Sequence, residues 1–269
     1  MGSIYENASD DFLELASEQR LAILYALYGG KSKLSIIAKD LGATVPEVFR
    51  NFERLSKANM IEKDSEGDYH LTSYGKIMLT QIPSLRFLTG NKKYFKNHDF
   101  FDIPPKFLQR IGSLESGTHV KGFVKVLEYW KEIYKNADKY VYNILYEVPY
   151  TSDLVEPLVK KINQGVVVHS IFSEDAILPK ERKQVIEKLG FKKLIDEGKI
   201  ERRMKSDVKT LVILNDKEAC VMFPSSDGQV DLSEMFFGKD PLFYEWCMDY
   251  FRYCWMESKP FQESKLKKD

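Results

Sequence analysis

The sequence predicts a two-domain α+β protein, and three observations carry that reading. Apolar residues recur at helical spacing through the first third, one short hairpin pattern interrupts that run, and strands alternate with helices after about residue 118. The 269 residues suffice for one large or two ordinary cores, and 43% hydrophobic with 30% charged residues describes a globular chain.

In the first third, "DDFLELASEQRLAILYALYGG" sets Phe12, Leu15, Leu21, Leu24 and Leu27 near helical spacing and stops at Gly29-Gly30. The segment "KLSIIAKDLG" turns Leu34, Ile37 and Leu41 inward and is closed by Gly42. Thr44 is the N-cap expected for the next helix, Pro46 fits its first turn, and Val48, Phe52 and Leu55 form the buried stripe. "MIEKDSEGDYHLT" reads as two short strands around Gly67, and Thr72 or Ser73 caps the helix "YGKIMLTQI". Helix, helix, turn, helix and two-stranded wing is the order of a winged helix-turn-helix, expected over residues 1–82. Two short helices must pack on the first to bury their apolar faces, which leaves the polar side of the third outward.

Residues 83–117 hold three of the ten prolines and read as a connector. Phe87, Tyr94, Phe95, Phe100 and Phe101 are too many aromatics for a solvated tether and are expected to dock the two halves together. An α/β domain over 118–262 follows. A helix is expected at 119–136, then strands "KYVYNILYE", "VVVHSIF" and "IERRM" separated by the helices "DLVEPLVKKINQG" and "PKERKQVIEKLGFKKLIDEG". "KTLVILNDKEACVMFP" makes two strands about "NDK", and "PLFYEWCMDYFRYCWMES" a last helix. That alternation predicts a largely parallel sheet, with 263–269 as a basic tail.

Lys plus Arg and Asp plus Glu each total 40, which argues against a protein that coats nucleic acid without specificity. The longest apolar runs are too short to span a bilayer, and the acidic start lacks a signal peptide's features. Gly2 is followed by Glu6 where myristoylation wants Ser or Thr. Cys220, Cys247 and Cys254 form an odd set without CxxC spacing, so reduced thiols, a cytoplasmic location, and neither cofactor nor metal are expected.

On the third helix Thr44, Glu47, Arg50, Asn51 and Arg54 share an arc, and in a major groove Arg forks guanine while Asn pairs adenine. Lys63 and His70 would add cationic help from the wing. Phe49, beside that arc, either packs on the second helix or touches a thymine methyl. Residues 1–95 hold 12 basic and 12 acidic residues, and the tip "KDSEGD" is acidic. Affinity for duplex DNA is therefore expected from a homodimer with two reading heads and should fall quickly with salt. The alternative is a protein-interaction module whose winged helix no longer binds DNA.

In an open α/β sheet, ligands gather at the carboxyl ends of strands. Candidates for a small-molecule effector are Asn143, Tyr146 and Glu147, then Ser170, Phe172 and Ser173, then Arg202, Arg203 and Lys205, with Tyr253 and Trp255 as an aromatic wall. The clustered cations either hold a carboxylate or phosphate or guard a strand edge. His119 and Lys121 imitate the start of a phospholipase D motif, but Val126 stands where Asp is needed and the segment reads as helix. No GxGxxG, P-loop, HExxH or GxSxG occurs, and no enzyme is expected.

Three segments resemble a known family. "TVPEVFRNFERLSKANMIEK" (44–63) is similar to the turn, recognition helix and exit of prokaryotic winged-helix regulators, arsenical-repressor-like and sugar-sensing archaeal types included, with Asn59 where Gly is common. "YFKNHDFFDIPPKFLQRIGSL" (94–114) resembles the aromatic, His-Asp, Ile-Pro segment of archaeal transcription regulators of the methanogenesis-regulator type. "DPLFYEWCMDYFRYCW" supplies Asp240, Trp246, Phe251 and Tyr253 of their closing run, with Cys247 in place of the usual Gly. The resemblance spans nearly the whole chain. It implies a DNA-binding regulator with a phospholipase-D-like sensor domain that lacks the catalytic motif.

Overall fold

The structure is a computed structural model that describes residues 4–101, 103–147, 151–178, 182–263 and 267–268. Gly2, with the myristoylation question, and most of the expected tail lie outside those residues. The chain divides into two compact units, Met1–Pro83 and Ser84–Asp269.

In the first unit the helices are α1 (Ile4–Leu15), α2 (Glu18–Tyr28), α3 (Leu34–Asp40), α4 (Val45–Lys57) and α5 (Ser73–Leu79). Between α4 and α5, β1 (Ile61–Lys63) pairs antiparallel with β2 (Tyr69–Leu71). The single helix expected over the first apolar run is two, because the Ser17 side chain accepts from the Arg20 amide and starts α2 afresh. Phe12 is consequently not a core residue but largely exposed. Ile23, Leu24, Leu27, Ile37, Val48, Phe52, Leu55, Met60 and Leu71 form the core. Thr44 and Glu47 close the start of α4: the Glu47 carboxylate accepts from the Thr44 amide at 3.0 Å and its hydroxyl at 2.8 Å. Asn59 takes the left-handed backbone (φ 56°) after α4, and Thr72 caps α5. On α5, Gly75 lies against the hairpin: a Cβ there would stand 2.0 Å from the Met60 carbonyl oxygen.

The second unit begins within α6 (Ile82–Gly90) and includes α7 (Pro105–Leu108). Phe87, Tyr94 and Phe107 are buried in its core, Phe95 and Phe100 pack against that core, and Phe101 is exposed. Next come β3 (Thr118–Lys121), α8 (Phe123–Asn136), β4 (Tyr140–Glu147), α9 (Ser152–Asn163) and β5 (Val167–Leu178). After α10 (Arg182–Lys188) and α11 (Phe191–Asp196), β6 (Ile200–Lys205), β7 (Leu211–Asn215), β8 (Ala219–Met222) and β9 (Glu234–Gly238) complete most of the sheet. The chain ends with α12 (Pro241–Glu257), β10 (Lys259–Pro260) and β11 (Lys267–Lys268).

Residues 118–121 are strand, against the helix expected from 119. Gly122, at φ 99°, breaks the backbone before α8 begins, and β3 pairs with β9. Gly190, in the left-handed region, likewise divides the helix expected after 179 into α10 and α11. The sheet runs β10-β6-β5-β4-β7-β8-β9-β3, with β11 beside β5. It is mixed, not largely parallel: among the described residues only β4–β5, β5–β6 and β5–β11 are parallel. The reason is connection length. Parallel neighbours need a crossover of a dozen or more residues, which α9 and α10–α11 provide, whereas Asp216–Glu218 merely reverse the chain between β7 and β8. Helix α12 packs on β4, β6, β7 and β8. Adjacent residues of β4 show the two covered faces: Tyr142 stacks on Phe251 of α12, while Asn143 meets Tyr134 of α8.

Candidate nucleic-acid interface

Helix α4 is the most sharply two-sided element of the first unit. Val48, Phe52 and Leu55 are buried, while Thr44, Val45, Glu47, Phe49, Arg50, Glu53, Arg54 and Lys57 are exposed. The arc expected to read DNA is not uniformly open. Arg50 makes no hydrogen bond or ion pair among the described residues, and it helps hold the Glu47 carboxyl below the usual range, after the dominant hydrogen bond from Thr44. Asn51 is half-buried and donates to the Gln19 side chain at 2.5 Å and the Glu47 carbonyl at 3.2 Å. Arg54 forks onto Glu14 of α1, with Nε 3.0 Å from one carboxylate oxygen and Nη2 2.7 Å from the other. Phe49 remains 47% exposed.

Helix geometry accounts for this split. At about 100° per residue, Asn51 and Arg54 fall on the flank that meets α1 and α2, whereas Phe49, Arg50, Glu53 and Lys57 fall on the open side. Sequence reasoning missed Glu14, Gln19 and Arg20. A signal was available for Arg20, which shares helical spacing with the core residues Ile23, Leu24 and Leu27 and is itself buried. Its Nε donates to the Glu14 carbonyl at 2.8 Å, its Nη2 to the Leu13 carbonyl at 2.6 Å, and Nε stands 3.1 Å from the Glu14 carboxylate.

On the hairpin, Lys63 lies over the Tyr69 ring at 5.6 Å, and His70 is 3.7 Å from Glu62. The acidic tip is partly neutralised, because Lys31 reaches Asp64 at 3.0 Å and Glu66 at 3.2 Å. Asp64, Glu66 and Asp68 can bring one oxygen each within 4.8 Å of one another.

Of the effector candidates of the second unit, Tyr146 and Lys205 stand at strand ends and others do not. Asn143 and Ser170 lie in mid-strand and are buried in register with each other and with Arg202. The Asn143 Nδ2 is 3.5 Å from the Tyr134 hydroxyl, and its Oδ1 and the Trp130 Nε1 have no hydrogen-bond partner among the described residues. Phe172 is buried against Phe261, Tyr146 is half-buried against the core, and Ser173 is buried. The three cations are divided by the two-residue period of the strand. Arg202 lies over the Phe261 ring at 4.1 Å and near Glu263, whereas Arg203 lies over Trp255 at 4.4 Å and donates to the Trp255 carbonyl at 3.2 Å. Lys205 pairs with Glu257 at 3.3 Å. Nor do Tyr253 and Trp255 form one wall: two residues apart on a helix, they point apart. Tyr253 sits under Lys106 at 4.1 Å, and Trp255 stacks on His169. A cavity of about 430 Å³ lies beside β6, lined by Ile195, Ile200, Glu201, Arg202, Arg203, Pro260 and Phe261.

His119 and Lys121 stand on a strand, where helix was expected, and share one carboxylate. His119 Nε2 is 2.7 Å and Lys121 Nζ 3.2 Å from Glu234. Val126 is buried in α8. Burial pushes the His119 imidazole below its ordinary value despite Glu234, and does the same to His169 between the Tyr142 and Trp255 rings. His98 is buried with Nδ1 2.9 Å from the Tyr94 carbonyl and Nε2 2.9 Å from Asp231.

No protein-family model matches the sequence, and no curated protein matches it. Among solved structures, weak likenesses include TrmBL2, an archaeal chromatin protein with a novel mode of DNA binding. It is 14% identical at a TM-score of 0.42, over 90% of this chain and 93% of that one. NucT from Helicobacter pylori is 13% identical at a TM-score of 0.41, over 54% of this chain and 98% of its own. Nuc from Salmonella typhimurium, a phospholipase D family member, is 16% identical at a TM-score of 0.36, over 55% and 99%. Likenesses this distant do not bear on function. Among the described residues, no helix is long and apolar enough to cross a membrane.

Proposed function

We propose that the chain is a cytoplasmic transcription regulator: the N-terminal unit is a winged helix-turn-helix that binds duplex DNA through α4, and the second unit is a non-catalytic domain for sensing or dimerisation. One observation carries the first half. Arg50 stands on the open side of a capped amphipathic helix, beside Phe49, and its guanidinium makes no hydrogen bond or ion pair among the described residues, as base-edge reading requires. A homodimer supplies the second reading head that a charge-balanced unit needs, and an effector bound in the second unit changes half-site spacing. The cavity beside β6, with Arg202 and Arg203 in its wall, is the place for a small anionic effector. Arg50→Ala should weaken binding to a promoter duplex by about 1–3 kcal/mol, measured by fluorescence anisotropy. Unchanged affinity rejects the reading.

A second reading has its own support. Asn51 and Arg54 are engaged by α1 and α2, and Val45 and Phe49 are exposed apolar residues on α4, which suits a protein-interaction face. Salt separates the two: duplex binding falls linearly in log affinity against log salt, and an apolar protein contact does not.

A further inference from the structure

We propose that Arg54 is a latched phosphate contact, held by Glu14 in the free protein and handed to a nucleic-acid phosphate on binding. The inference rests on the DNA-binding reading of α4. Its physical basis is that Glu14 serves two guanidinium groups at once. The Glu14 side chain is 15% exposed; Arg20 Nε lies 3.1 Å from its carboxylate, and Arg54 occupies both oxygens at 2.7 and 3.0 Å. Ordinarily, withdrawing one partner from a mostly buried ion pair strands a charge, which makes such pairs hard to open.

Here that penalty is reduced on both sides, because the Arg20 charge stays 3.1 Å from the Glu14 carboxylate. If Arg54 leaves, Glu14 keeps Arg20, which stays satisfied by the Leu13 and Glu14 carbonyls. Arg54 itself is 53% exposed, so its head moves into water without desolvation. A phosphate offers the same two-oxygen face as the carboxylate, so the guanidinium can exchange one bidentate acceptor for another. Arg54 also lies on the same helix as the exposed Arg50, one turn further on. Helix α1 therefore sets how much of the α4 positive charge is offered to a duplex. Glu14 is a positioning residue for that charge and touches no base.

The test follows the Arg54 Nε–H resonance by nitrogen-15 NMR on the whole chain while a 24-base-pair duplex is added, with affinity read by anisotropy over a series of KCl concentrations. The latch predicts that the Arg54 resonance moves on binding. It also predicts that Glu14→Gln binds about threefold tighter at low salt, and that Arg54→Met flattens the log–log salt slope by about 0.9. Duplex binding by the wild-type chain with the Arg54 resonance unmoved overturns the latch and leaves the DNA-binding reading standing. Absence of any duplex binding overturns both. Because the wild-type resonance alone decides between these outcomes, a Glu14→Gln chain that fails to fold does not obscure the answer.

Discussion

Arginine is used in opposite ways in the two units. In the first, Arg54 projects from a helix surface to a carboxylate that already has another cation, an arrangement that an arriving anion can reopen. In the second, Arg203 pairs with Glu201 at 3.3 Å, but it also lies over the Trp255 ring at 4.4 Å and donates to that residue's carbonyl, contacts that Arg54 lacks. The cores differ likewise. Aliphatic side chains dominate the first, with Phe52 against Tyr69 as its aromatic pair, whereas the second interleaves Phe87, Tyr94, Phe107, Phe223, Phe236, Trp246 and Tyr250.

The comparison breaks most readily at the cores. Trp246 is fully buried, with its Nε1 3.0 Å from the Phe107 carbonyl, and Phe52 is its counterpart in the first unit. Replacing either with Ala should cost about 3–5 kcal/mol in urea unfolding, so a much smaller loss at Trp246 would mean the aromatic core is loosely packed. Gly75→Ala comes next, at about 1–3 kcal/mol, because the new methyl meets the Met60 carbonyl and the backbone must move. The two arginines follow. Arg203→Ala should lose about 1 kcal/mol of stability, and Arg54→Ala should stay within about 0.5 kcal/mol. Equal losses would erase the contrast.

Acid gives the smallest effects, and their signs differ in origin but not in direction. Burial depresses His119 and His169 in the folded chain, so the unfolded chain takes up more protons as pH falls below the ordinary imidazole value of 6.5. Melting temperature should therefore hold above 6.5 and drop below it, and a His169→Phe variant should drop less. The Arg54 hydrogen bond, with lesser help from the two arginines' charges, depresses Glu14, whose contribution is complete above pH 4.5 and is lost on further acidification. Glu14→Gln should remove that second decline.

Much of this was legible in the chain. The buried stripe Val48, Phe52, Leu55 and the Thr44 cap follow from spacing and side-chain chemistry alone, since each involves residues within a turn or two. What escaped was set from afar. Residues 118–121 become strand because β9, more than a hundred positions later, pairs with them. Arg202 and Arg203 read as one cationic cluster because adjacency in sequence hides the alternation of a strand. On α4 the arc was visible but not its neighbours, so nothing in the helix itself announced that Glu14 would meet Arg54.

The ring ladder Tyr140–Tyr142–His169–Trp255 has an optical consequence. Of the three tryptophans, Trp130 and Trp246 are sealed in the interior, and Trp255 lies 4.8 Å from an imidazole it parallels to within 11°. A protonated imidazole quenches the excited indole by accepting its electron. The longest-wavelength emission of this chain is thus a built-in gauge of whether His169 carries a charge, readable without a label.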